Sequence, residues 1–99
     1  MYVKFSKSTR KEKKYQAQFF DDDGDVVQTT HFGSKGASDM TIHKNEDRKK
    51  LYLARHQKRE NWNDYKTPGS LAMNILWNKP SLTASINDYV KKFGLKLKK

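Results

Sequence analysis

Residues 14–32 read KYQAQFFDDDGDVVQTTHF, and this stretch decides the fold. On the first arm Tyr15, Ala17 and Phe19 alternate with Gln16 and Gln18, the period-2 pattern of a strand with one buried face. The second arm, 26–32, is rich in β-branched residues. Between them DDDGD holds an Asp-Gly pair, whose tolerance of positive φ suits a tight reversal. The spacing predicts a β-hairpin of strands 14–20 and 26–32.

Working outward, residues 2–6 also alternate, with Val3 and Phe5 on one side and Tyr2 and Lys4 on the other, so a third strand is expected before the charged turn KSTRKEKK at 7–14. Beyond the hairpin, Gly33 and Gly36 bracket Ser34 and Lys35 in an irregular loop where nothing periodic is expected. Asn45 followed by Glu46 and Asp47 reads as a helix start, and a helix is predicted over 46–58 with Tyr52, Leu53 and His56 facing inward. Thr67-Pro68 starts a second helix to Trp77, stopped by Lys79-Pro80. Ser81 caps a third, whose Leu82, Ile86, Tyr89, Val90 and Phe93 form the clearest apolar stripe in the chain, ended by Gly94. Residues 95–99 are expected to be a mobile tail, unless Leu95 and Leu97 dock. The fold class is therefore α+β: a three-stranded antiparallel meander followed by three short helices on one face.

Ninety-nine residues fit one domain, 1–99, and twelve aromatics among 34% hydrophobic residues supply its core. Charge is the strongest global signal. Twenty-one Lys and Arg against 11 Asp and Glu give +10, and a chain this basic attracts polyanions or acidic protein faces. Residues 1–20 hold six basic and one acidic side chain, residues 35–60 eight and four, and residues 80–99 five and one. Asp21, Asp22, Asp23 and Asp25 share one turn. No cysteine is present, so disulfides and thiolate zinc sites are excluded. The N-terminus has no apolar signal core, and no apolar run approaches the roughly 20 residues a membrane-spanning helix needs. A protein that is not secreted is expected.

Residues 31–64 hold all three histidines and a dense basic run, which makes them the expected binding region. Arg48, Lys49, Lys50, Arg55, Lys58 and Arg59, with Lys35 and the Lys-rich ends of the chain, are the candidate phosphate contacts, against the bland alternative of a solvated helix face. Trp62 and Tyr65 are candidates for stacking on unpaired bases, or else cap the core. His31, His43 and His56 are spaced by 12 and 13 residues, matching no metal signature, so no metal, cofactor or catalytic residue is expected. A nuclease-like cluster of His43 with Asp39 or Glu46 is the remote alternative. The segment Gly33-Ser34-Lys35-Gly36 lacks the spacing of a nucleotide-binding loop and reads as a turn.

One further pattern spans most of the chain: His31-Phe32-Gly33, Lys35-Gly36, Ser38-Asp39, Thr41-Ile42-His43, Tyr52, Arg55-His56, Asn61-Trp62-Asn63-Asp64 and Leu76-Trp77-Asn78-Lys79-Pro80. In these blocks the sequence resembles a family of small basic proteins of nucleocytoplasmic large DNA viruses. It departs from that family in having Met40 in place of an aromatic and Pro68 in place of a small residue. The resemblance implies a viral setting, in the host cytoplasm or nucleus during infection or inside the particle, and carries no catalytic residues with it. The leading expectation is a non-enzymatic protein that binds DNA or RNA by backbone contacts. The alternative is a minor capsid or cement component meeting acidic surfaces of other virion proteins.

Overall fold

The computed structural model describes residues 1–36, 39–57 and 62–98, and within these every side chain except those of Thr41 and His43. Strands β1 (Tyr2–Lys7), β2 (Lys13–Phe20) and β3 (Val26–Ser34) form the expected antiparallel meander, with Val3 opposite Phe19 and Tyr15 opposite Phe32. The β2–β3 reversal is built by Asp21, whose side chain accepts the backbone N–H groups of Asp23 and Asp25 at 3.0 and 2.9 Å, while Gly24 takes φ +89°.

The sheet does not stop at three strands. A fourth, β4 (Lys96–Leu97), pairs parallel to β1, giving the order β3-β2-β1-β4 and a mixed sheet. The tail expected to be mobile therefore closes an edge of the sheet. Gly94, in the left-handed region at φ 65°, reverses the chain at the end of a helix, and Leu95 then enters the core at 9% exposure. The N–H groups of Lys96 and Lys98 donate to the carbonyls of Met1 and Val3 at 3.2 and 2.9 Å. A two-residue strand leaves too short a pattern for periodicity to register.

The helical elements follow the meander, and the later ones pack on the sheet. They are α1 (Met40–His43), α2 (Glu46–His56), α3 (Pro68–Leu71) running into a π-helical turn over Ala72–Leu76, and α4 (Leu82–Phe93). The caps fall where the sequence puts them: Asn45, Thr67 and Ser81 each accept backbone N–H groups at the starts of α2, α3 and α4. The expected second helix changes character midway. Asn74 donates to the Ser70 carbonyl at 2.8 Å, and the Trp77 N–H bonds back five residues to the Ala72 carbonyl at 3.1 Å. α1 departs from the sequence expectation altogether, forming a helical turn where only an irregular loop is expected, with Met40 fully buried. Lys58, the expected end of the helix at 46–58, lies outside the described residues.

The core joins Val3, Ala17, Phe19 and Phe32 of the sheet to Leu71, Ile75 and Leu76, and to Tyr89 of α4. The predicted stripe of α4 packs there: Leu82, Ile86, Val90 and Phe93 line up beside Tyr89. Phe5 meets Phe32 and Tyr89 edge to face at 6.3 and 5.8 Å. Close approach of β3 to the π turn needs Gly33: at φ +79°, a Cβ there would lie 2.6 Å from Leu76 Cδ1. α2 has no fully buried residue and sits outside this core.

Candidate nucleic-acid interface

A meander brings the end of β1, the start of β2 and the end of β3 to one end of the sheet. That geometry gathers Lys7, Lys13, Lys14 and Lys35 around a depression of about 290 Å³, together with Ser8 and Tyr15. Arg10 and Lys11 sit exposed in the turn beside it. The turn is pinned rather than loose. Ser8 Oγ lies 2.7 Å from His31 Nδ1, the Thr9 N–H donates to Gln16 Oε1 at 3.2 Å, and the Lys35 N–H donates to the Glu12 carbonyl at 3.0 Å.

Of the four lysines, Lys14 is neutralised in place. It forms an ion pair with Asp39, at side-chain exposures of 14% and 2%, which ties β2 to the start of α1. Lys7, Lys13 and Lys35 have no acidic partner among the described residues. Positive charge at the sheet end is thus not neutralised by an ion pair among the described residues.

Lys13 and Lys14 also line a second, larger cleft of about 380 Å³, bounded by Gly33 and Ser34, by Pro68, Gly69, Ala72 and Leu76, and by Tyr52, His56 and Trp77. Its aromatic wall is a ladder. Tyr52 lies flat on Trp77, with centroids 4.3 Å apart and planes 5° from parallel, and His56 stacks on Tyr52 at 4.3 Å and 28°. This ladder, with Lys49 Nζ donating to the Asn78 carbonyl at 2.7 Å, fastens α2 to the turn after the π helix.

The residues expected from sequence to contact phosphate are dispersed. Lys35 lies in the lysine depression. Arg48 and Arg55, seven residues apart on α2, share an exposed side with Leu51, which is 63% exposed. Lys50 is also exposed but projects about 200° round the helix from Arg48, so the three do not form one stripe. Lys49 is half-buried and committed to Asn78. Lys58 and Arg59 lie outside the described residues.

Of the two stacking candidates, Tyr65 packs its ring against Phe19 and Phe93 at 5.7 and 5.6 Å, and its carbonyl accepts the Tyr89 hydroxyl at 2.6 Å. Trp62 is half-buried, its carbonyl accepts from Ser70 Oγ at 3.1 Å, and its indole N–H has no acceptor among the described residues. The nuclease-like cluster centred on His43 falls on a side chain outside the described set. Among the described residues, no three His, Asp or Glu side chains are grouped to hold a metal ion.

Sequence reasoning counts the Lys-rich ends of the chain among the phosphate contacts but does not single out Lys7, Lys13 and Lys14, which it reads as part of a charged turn. A signal is nonetheless there, because any antiparallel meander of these strands puts residues 7, 13 and 34–35 at the same end. No curated protein and no solved structure matches the chain. The model of one family does match it, over residues 3–56, which is more than half of its length and includes Lys7, Lys13, Lys35, Tyr52 and His56. The chain therefore belongs to a family of unknown function, DUF5754.

Proposed function

We propose that the protein is a non-enzymatic binding module that associates with nucleic acid through phosphate contacts at the basic end of its sheet. The observation that carries this reading is the convergence of Lys7, Lys13 and Lys35 on one depression without acidic partners among the described residues. Like charges gathered around one depression repel one another, and a phosphate backbone that they neutralise, releasing its condensed counterions to solvent, relieves that repulsion. Arg48 and Arg55, exposed on α2, offer separate phosphate contacts, and base identity is not read. The setting we propose rests on the sequence resemblance alone: a large DNA virus, with its genome as the polyanion, in the infected cell or in the particle. No helix among the described residues is long and apolar enough to cross a membrane.

The test is fluorescence-anisotropy binding to labelled DNA and RNA across a salt series. On duplex DNA, replacing Lys7, Lys13 and Lys35 with Glu is expected to flatten the log–log salt slope by about 2.7, at about 0.9 for each phosphate no longer neutralised. Binding that ignores salt, or that survives the triple replacement with its slope intact, would sink the proposal. A second reading, a cement-type component of the particle, is favoured by the exposed apolar side chains of Ile42 and Leu51. Its expected outcome is a multimeric mass for the same sample.

A further inference from the structure

We infer that the cleft beside the lysine depression receives one unpaired nucleobase, so that the preferred polyanion is a single strand. This rests on the phosphate-binding reading and goes beyond it by assigning the cleft an occupant. Lys13 and Lys14 border both hollows, so a strand with its phosphates on Lys7, Lys13 and Lys35 runs past the mouth of the cleft.

The cleft is shaped for a flat, mostly apolar group with polar edges. At about 380 Å³ it falls within the range of small-ligand sites. Its lining includes Gly69 and Ala72, which intrude little, and Gly33 keeps β3 from projecting a side chain against Leu76. One wall is the ladder of Trp77, Tyr52 and His56. Tyr52 is sandwiched between Trp77 and His56, and among the described residues no further ring stacks on His56, so a base enters by extending the stack there. Lys13 and Ser34, also in the lining, supply polar groups for the ring's edge or its phosphate.

Base pairs inside a duplex are stacked on one another and cannot enter such a hollow without being flipped out. A single strand exposes its bases at no such cost. The duplex is therefore held by the lysines alone, and the single strand by lysines and cleft together.

The experiment compares the intact protein's affinity for four probes at one salt concentration: a short single strand, a duplex of the same length, an abasic strand keeping the phosphates but no bases, and a free nucleoside monophosphate. The single strand is expected to bind at least about fivefold tighter than the duplex and the abasic strand, the smallest gain a stacked base gives. His56→Ala should remove that advantage, and His56→Phe, which restores a ring, should keep it.

Equal affinity for single, duplex and abasic strands would overturn the cleft assignment and leave the phosphate reading standing. No binding to any strand would overturn both. A mononucleotide that binds as tightly as the single strand would overturn the strand assignment in favour of a free nucleotide. Because the comparison of probes uses the unaltered protein, a misfolded variant does not blunt it.

Discussion

The Tyr89 phenol shows how far one buried side chain can be read. Its ring is fully buried among Phe5, Phe93 and the sheet, and its hydroxyl donates to the Tyr65 carbonyl at 2.6 Å. Burial, reinforced by the nearby negative charge of Tyr65 and Asp64 on ionisation, pushes its pKa well above the ordinary 10.0. The sign of the consequence follows from proton counting. Above about pH 10 the unfolded chain releases this proton while the folded chain keeps it, so the unfolded state binds fewer protons and stability falls by about 1.4 kcal/mol per pH unit. Below that pH the contribution is fully present. Tyr89→Phe should cost about 1 kcal/mol at neutral pH, because it removes the hydrogen bond to a buried carbonyl. The same variant cannot lose stability through this proton, so its deficit should shrink or reverse by about pH 11. Urea unfolding of both proteins at about pH 8 and about pH 11 measures this, and a constant gap would mean the phenol does not stay protonated in the fold.

At the scale of elements, α2 combines a legible end with an illegible attachment. Asn45 accepts the N–H groups of Asp47 and Arg48 at 2.9 and 3.3 Å, with Glu46 and Asp47 in the first turn, as the local sequence predicts. Eleven residues are nonetheless too few for a stable isolated helix, and no α2 side chain is fully buried. What fastens it is the stack of Tyr52 on Trp77 and the Lys49 bond to Asn78, both between residues far apart in the chain. Tyr52→Ala should therefore release α2 alone. Amide exchange in α2 is expected to quicken by at least about tenfold, because a stack worth about 0.5–1.5 kcal/mol goes together with the burial it provides, while the β2 amides keep their protection. Faster exchange spread evenly over helix and sheet would show that α2 belongs to the cooperative core. The same division explains what is readable elsewhere. The hairpin, the caps and the α4 stripe are local patterns in which Asp-Gly, Ser81 and Gly94 act on their own neighbours. β4 and α1 depend on distant partners: Lys96 needs the Met1 carbonyl, and the four-residue α1 is held by the burial of Met40 and by the Lys14–Asp39 ion pair at its start. The candidate site is half-legible for this reason. Lys35 is visible as a basic residue in a glycine loop, but its company with Lys7 and Lys13 exists only once three strands are registered.

The whole molecule is electrically polar along its sheet. Lys7, Arg10, Lys11, Lys13 and Lys35 gather at one end, and Asp21, Asp22, Asp23 and Asp25, offset in part by the N-terminal amine and Lys98, at the other, separated by the eight residues of β2, or roughly 25 Å at about 3.3 Å per residue. Two opposed patches suggest cancellation, but screening decides the matter. At physiological ionic strength the Debye length is about 8 Å, so the acidic turn lies about three screening lengths from the basic end and barely weakens its field. At about 0.01 M salt the length grows to about 30 Å and the two ends feel each other. Asp23→Asn combined with Asp25→Asn is the informative variant, because both residues are exposed. It leaves intact Asp21, which builds the turn, and Asp22, which pairs with the N-terminal amine at 3.5 Å. Affinity for nucleic acid should stay within about twofold of the parent at about 0.15 M salt and exceed it by more at about 0.01 M. The slope at high salt should not change, since the set of neutralised phosphates is the same. An affinity gain as large at about 0.15 M as at about 0.01 M would mean that nucleic acid reaches the acidic turn itself, which would move the binding surface from the end of the sheet to its length.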